Sequence, residues 1–405
     1  MTKKVLVLLI STALSLVLLE IGSRLVFRAG REGVPTTEMF RKDLNKFENA
    51  EALLMEENGC SKDDWYLPHP AYDMLFRRDG PCALPRVNQL GFRSDEFPLK
   101  PEAGKFRILV LGASVADLLA SYSDGSHLGQ ALTKRALGPG GETIEVYSAA
   151  VGGWRLPNQE IVFNRFITQF DAVVAIDGYN EFYVVTHHYA GLLTPFSHFM
   201  SLSVFTQESF FASGMYRLYR YLSSLRFRPV FRESVATQAL HFLVGTTLNK
   251  ALEKYRATSE LFKMNTVYAN INGDDRAPKS DFHDAVLRYS KYSKMIHATS
   301  SALGKKSLHV IQPGAFTGKP LVGQELAYSD PETGERYRKF ANEVVEALKG
   351  YPTFSLLDIF ASDGDREVYA DPVHYAGDHQ GSYGNEKMAE AITELAIKHW
   401  KLKRK

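Results

Sequence analysis

Short unbroken apolar runs recur along the chain, with segments of helical period between or after them. Residues 107–111 (Arg-Ile-Leu-Val-Leu) form the first run, ended by Gly112. Similar runs occupy residues 144–147, 172–176, 308–311 and 354–357. A run with so little alternation of apolar and polar positions fits a strand buried on both faces rather than one. Helical periodicity runs through residues 159–170, 285–303, 332–349 and 385–400, and Gly350 is a favourable C-terminal cap for the third. Strands alternating with helices predict a parallel sheet covered on both faces, a three-layer α/β/α sandwich.

Composition narrows the classes further. The chain has 405 residues, 45% of them hydrophobic, which is ample for a large core and unlike a disordered chain. At about 150 residues per domain it admits two domains, or one large α/β domain with an insertion. Lys+Arg (48) and Asp+Glu (46) nearly cancel, for a net charge of +2. That balance argues against a dedicated nucleic-acid binder, so no nucleic-acid partner is expected. The two cysteines, Cys60 and Cys82, exclude a disulfide-rich scaffold and a cysteine-based zinc module.

The N-terminus carries a membrane signal. Lys3 and Lys4 precede an uncharged, mostly apolar run over residues 5–19, short of the roughly 20 residues a bilayer span needs. Continuation to Phe27 supplies the length and brings Glu20 and Arg24 inside, one helical turn apart. An uncleaved signal anchor over residues 1–29 is the expectation, with a cleaved signal peptide as the rival reading. The following domain is then exported, placing a single-pass protein in a bacterial inner membrane with its bulk in the periplasm. That compartment permits a Cys60–Cys82 disulfide; two reduced, buried thiols are the alternative. Residues 30–104 read as a stalk and an irregular lead-in rich in Pro, Gly, Arg and aromatic residues.

Residues 105–405 form the α/β domain, with a helical insertion over about 183–284. The insertion is crowded with aromatics (Phe196, Phe199, Phe205, Phe210, Phe211, Tyr216) and arginines (Arg217, Arg220, Arg226). It can act as a lid or substrate wall, touch lipid, or be an ordinary helical subdomain whose aromatics form its own core.

In an open parallel sheet, ligands bind at the carboxyl ends of the strands. After the first run comes Gly112-Ala113-Ser114, and after the second Ser148-Ala-Ala-Val-Gly152-Gly153. After the third comes Gly178-Tyr179-Asn180-Glu181, and Asp371-Pro372-Val373-His374 precedes the last helix. Together these segments resemble the sequence blocks of the SGNH hydrolases, the GDSL esterase/lipase family, in order and spacing across residues 105–400. Asn88-Gln-Leu-Gly-Phe-Arg93 resembles the lead-in of membrane-anchored bacterial members. The resemblance implies a flavodoxin-like sheet and a catalytic triad of Ser114, His374 and Asp371. It also implies an oxyanion hole made by the backbone N–H groups of Ser114 and Gly153 and the side-chain amide of Asn180.

The chemistry needs these residue types. A serine hydroxyl is a poor nucleophile until a base takes its proton, and His374 can serve as base and then as acid. Asp371 can hold the imidazole tautomer and stabilise its charged form. The tetrahedral intermediate needs donors aimed at its oxygen. Three positions depart from the family pattern: Ala113 for Asp, Glu181 for Asp, and Ser148 for Asn. None of them removes a triad member or an oxyanion donor.

Taken singly, Ser114 reads as a helix N-cap, His374 as a surface histidine and Asn180 as a turn residue. Asp358, Asp363 and Asp365 are rival triad acids. Adjacent His187 and His188 do not share a helix face, and Asp378 with its neighbouring histidine is no better, so neither a metal nor another cofactor is expected. Gly138-Pro-Gly140-Gly141 lacks the lysine of a phosphate loop. The expected protein is a serine ester hydrolase acting on acylated cell-envelope carbohydrate or lipid esters. An O-acyltransferase of the same fold and a non-catalytic envelope assembly or binding protein are the alternatives.

Overall fold

The computed structural model describes residues 65–69, 72–100, 102–121, 126–186, 209–226, 231, 234–258, 282–375 and 383–405, with Leu18, Ile21 and Gly22. Most of the expected anchor, the stalk and Cys60 lie outside the described residues. Among the described residues no helix is long and apolar enough to cross a membrane. Cys82 is disulfide-bonded, and Cys60 is the only other cysteine in the sequence. The chain divides into two compact units, Tyr66–Met200 with Ser259–Lys405, and Met1–Trp65 with Ser201–Thr258.

In the larger unit, β1 (Tyr66–His69) and β2 (Asp73–Phe76) form an antiparallel hairpin. There follow β3 (Lys105–Gly112), α1 (Ser114–Ala120), α2 (His127–Arg135), β4 (Ala136–Leu137), β5 (Thr143–Ser148) and α3 (Asn158–Phe166). Next come β6 (Ala172–Asp177) and α4 (Tyr179–Thr186). The smaller unit contributes α5 (Phe210–Arg226) and α6 (Val235–Thr258). The larger unit resumes with α7 (Phe282–Ala302), β7 (Lys306–Ile311), α8 (Pro331–Ala347) and β8 (Thr353–Ser355). It closes with α9 (Tyr383–Trp400) and β9 (Lys403–Arg404).

Five strands build one parallel sheet in the order β5-β3-β6-β7-β8. The unbroken apolar runs are the buried inner strands. Ile108, Val110, Val174, Ile176, Leu308 and Val310 share a core with α1, α2 and α9. The alternate residues Leu109, Leu111 and Val173 are equally buried on the face that α3, α4, α7 and α8 cover. Local chemistry sets the helix ends. Ser126 Oγ caps α2 by accepting the Gly129 N–H at 2.9 Å, and Asp330 caps α8 through the Thr333 N–H, with Pro331 in the first turn.

Two expectations change. The segment before the sheet is not wholly irregular, because β1 and β2 pair with Tyr66 opposite Phe76. Its loop is bound into the fold: Asn88 Oδ1 accepts the N–H groups of Leu90 and Phe92, and Phe92 is fully buried against Phe97, Trp154 and Phe166. After α9 the chain adds one more strand, since β9 pairs with β4. The last apolar run supplies only a three-residue edge strand; Leu357 is buried in the following turn, because an apolar side chain signals burial and not extended backbone.

In the smaller unit, α5 and α6 pack through Ala212, Leu248 and Leu252, with Tyr219 stacked on His241 at 4.5 Å. Phe210, Phe211 and Tyr221 are exposed, so these aromatics are not the unit's core.

Candidate active site

The nucleophile candidate stands where the chain turns from sheet into helix. β3 ends at Gly112, which pairs with Ile176 of β6, and Ser114 is the first residue of α1. Gly112 has φ +150, and a Cβ there would lie 2.3 Å from the Ile176 carbonyl oxygen and 2.4 Å from Ala116 Cβ. Only glycine fits that turn against the neighbouring strand. The first N–H groups of a helix have no partner within it, so the Ser114 N–H is available to a ligand. In order of appearance the five strands run 2-1-3-4-5 across the sheet. The order reverses between β3 and β6, where a doubly wound sheet opens its ligand crevice.

His374 reaches this point from the other end of the domain. Its Nε2 lies 2.7 Å from Ser114 Oγ, and its Nδ1 lies 2.8 and 2.9 Å from the two oxygens of Asp371. An ionised carboxylate only accepts, so Nδ1 carries the proton and Nε2 accepts from the serine hydroxyl. Asp371 also shapes the backbone that carries the imidazole. Its Oδ1 accepts the N–H groups of Val373 and His374 at 2.9 Å each, and the Ala370 N–H closes the loop on the His374 carbonyl.

The rival acids are engaged elsewhere or stand apart. Asp358 forms a two-pronged pair with Arg338, whose guanidinium holds the carboxyl below its ordinary range. Asp363 accepts from Lys387 at 2.7 and 2.9 Å, and Asp365 is exposed.

The other two segments are joined to each other through Asn180 and Glu181. Gly153 has φ +82 and is exposed, and it follows Gly152, where a Cβ would lie 3.8 Å from Ser114 Cβ. Asn180 Nδ2 donates to the Trp154 carbonyl at 2.8 Å; a primary amide has a second N–H, which leaves one for a ligand. Glu181 binds both sides of the junction, accepting the Leu156 N–H at 2.8 Å and the Gly178 N–H at 3.1 Å. Burial, and then the neighbouring Asp177, raise its carboxyl to about 8. Asp177 accepts from the Tyr289 hydroxyl and faces His309 Nε2 at 3.1 Å.

The departures have local reasons. Ala113 is buried, where a carboxylate would need a partner. Ser148 is buried at the end of β5; its N–H donates to Ser94 Oγ at 3.1 Å and its hydroxyl accepts from Ala150.

Two residues escape a reading of motifs alone. A Cβ on Gly152 would fall 2.8 Å from the Tyr66 hydroxyl oxygen and 3.8 Å from Ser114 Cβ, so the tip of Tyr66 and Ser114 both border Gly152. Tyr179 lies against Phe316 and Tyr183; burial, then Tyr183 and Asp371, raise its phenol to about 12. Tyr66 is reached only by pairing β1 with β2, and Tyr179 is the variable position of its motif. Among the described residues no group of three or more His, Cys, Asp or Glu side chains could hold a metal; His187, His188 and Asp378 lie outside them.

No protein-family model matches the chain, and no curated protein does. Among solved structures, two variants of Axe2, an acetyl-xylooligosaccharide esterase from Geobacillus Stearmophilus, are similar to it. Each is 10% identical with a TM-score of 0.36; one covers 73% of this chain and 94% of its own, the other 75% and 96%. A likeness at that level bears on neither chemistry nor substrate.

The geometry defines the chemistry open to the site. A hydroxyl, an imidazole and a carboxylate stand in hydrogen-bonded series. Such a series can move a proton off Ser114 as a bond forms to its oxygen.

Proposed function

We propose that the chain is a serine ester hydrolase of the SGNH type, with Ser114 as nucleophile, His374 as general base and acid, and Asp371 as the acid that orients it. The observation that carries this reading is the 2.7 Å contact of Ser114 Oγ with His374 Nε2, in line with the His374–Asp371 pair.

In the first step Ser114 Oγ attacks an ester carbonyl carbon while its proton passes to Nε2. The carbonyl electron pair moves onto oxygen, which the N–H groups of Ser114 and Gly153 and the Asn180 amide receive. Collapse breaks the bond to the leaving alcohol, which takes the proton from Nε2. Water then attacks the acyl-enzyme and gives a proton to Nε2. Release of the carboxylic acid returns that proton to Ser114.

The substrate class we infer is an acylated cell-envelope carbohydrate or a lipid ester, met by a protein anchored through its N-terminus with the hydrolase domain exported. The apolar N-terminal run following Lys3 and Lys4 supports the anchor, and disulfide-bonded Cys82 supports an oxidising compartment.

The test is labelling of the full-length protein by a serine-reactive fluorophosphonate. Wild type should label and Ser114→Ala should not. Equal labelling of both, or no labelling of folded wild type, would overturn the reading.

A further inference from the structure

The segment carrying Asp371 and His374 has no regular structure to hold it. Residues 356–375 contain neither helix nor strand, yet His374 must stay within hydrogen-bonding reach of Ser114. Behind the segment lies an ion pair that the proposed reaction does not use. Lys319 Nζ stands 2.5 Å from Glu325 Oε2, and both side chains are 0% exposed.

Burying two charges is costly, and their attraction offsets that cost only when the geometry is good and the remaining donors and acceptors are filled. Here both carboxylate oxygens and two of the three ammonium donors have partners, and the base-bearing segment supplies two of those partners. Glu325 Oε1 accepts the N–H groups of Val368 and Tyr369 at 2.6 and 2.7 Å. Oε2 also accepts the Val322 N–H, and the Lys319 ammonium gives a second bond to the Pro320 carbonyl. Neighbouring bonds run between the same two segments: Gln324 N–H to Glu367 Oε1 at 2.6 Å, and Tyr328 hydroxyl to the Ala370 carbonyl at 2.7 Å. The Ala370 N–H in turn binds the His374 carbonyl. A continuous path therefore runs from the buried pair to the imidazole.

We propose that Glu325, held by Lys319, is a positioning residue that sets the Asp371–His374 loop against Ser114. The proposal rests on the triad reading above. Glu325 touches no reacting atom and acts only through the backbone it holds. Lys319 is needed because a carboxylate sealed from water without a cation would lose its charge or move. A neutral amide at 325 facing the intact Lys319 leaves a buried ammonium unmatched. An amide facing an apolar side chain keeps an oxygen for Val368 and Tyr369 with no stranded charge.

The experiment uses full-length Glu325→Gln, Lys319→Met and the double variant, with p-nitrophenyl acetate as the ester probe. Circular dichroism gives the folded fraction of each. Misplacing a catalytic group by about 1 Å can cost roughly 10²-fold in rate. Each single variant should therefore lose about that in kcat per folded molecule, with KM little changed, and the double variant should recover most of the loss. A wild-type kcat in folded Glu325→Gln, a loss matched by the unfolded fraction, or a double variant no better than the singles would each overturn the proposal.

A second readout does not depend on ester chemistry. The His374 Nδ1–H bonded to Asp371 should give a low-field proton resonance, assigned by its absence in His374→Ala. It should shift or vanish in Glu325→Gln and return in the double variant. If wild type neither hydrolyses the probe nor labels, the esterase reading fails. The resonance then decides the positioning role alone, and an unchanged resonance in Glu325→Gln would overturn it.

Discussion

His374 Nε2 stands 2.7 Å from Ser114 Oγ with 260 residues of separation in the chain. The contact exists because β3 delivers the serine to the reversal point of the sheet and an irregular segment before α9 returns over the same edge. Closing such a separation is entropically costly, and the folded sheet together with the bonds along residues 367–374 offsets it.

Asp371 serves both backbone and imidazole, and an amide separates the two roles. In Asp371→Asn the side-chain oxygen can still accept the N–H groups of Val373 and His374. It no longer holds the imidazole tautomer or its charge. Thermal unfolding should match wild type closely, while kcat on p-nitrophenyl acetate falls roughly 10³–10⁴-fold. Near-wild-type turnover would remove Asp371 from the triad.

Glu181 makes stability fall as pH rises from about 4.5 to about 8. Burial and Asp177 raise its folded value to about 8, above its ordinary 4.5. The folded chain thus holds this proton more tightly than the unfolded chain does. The resulting stability is full below pH 4.5, declines as pH rises, and is lost above about 8. Denaturant unfolding across that window should show wild type losing more stability than Glu181→Gln, which carries no ionisable group there. Parallel profiles would contradict the raised value.

Arg93 ties the segment before the sheet to the nucleophile helix. Its guanidinium lies 3.1 Å from Asp117 and over the Phe76 ring at 5.8 Å, with both charged side chains buried. Arg93→Met leaves the Asp117 carboxylate buried without that cation, which should cost about 3–5 kcal/mol in equilibrium unfolding. Asp117→Asn added to Arg93→Met should recover part of it. A cost near zero for the single variant would show that the pair is solvated.

Gly112 and Gly153 both have positive φ but differ in what surrounds them. A Cβ at 153 meets only the flexible end of Met74 at 3.2 Å, so Gly153→Ala should lose roughly 1–2 kcal/mol from the backbone strain. At 112 it meets a strand carbonyl at 2.3 Å, which cannot swing away. Gly112→Ala should be the more destabilising of the two and should reduce fluorophosphonate labelling of Ser114. Equal effects would mean that the strand end yields.

Much of the site was legible before folding. The runs ending at Leu111 and Ile176 foretold buried parallel strands, because a strand covered on both sides has no polar face to show. Ser114, Asn180, Asp371 and His374 stood out as chemically suitable side chains next to those strand ends or just before the last helix. Tyr66 did not, because its place at Gly152 comes from a hairpin whose second strand, Asp73–Phe76, carries no strong alternation. Glu325 and Lys319 belong to no motif or periodic run that would single them out. Their burial follows from the irregular segment that covers them.

Periodicity and residue chemistry are local properties of the chain, so they settled the parallel sheet, its helices and the kinds of side chain placed at strand ends. Which of those side chains touch depends on non-local closure: the reversal of strand order between β3 and β6 and the course of an unstructured segment around a buried ion pair. No local pattern encodes those distances, because they are set by packing between segments far apart in the chain.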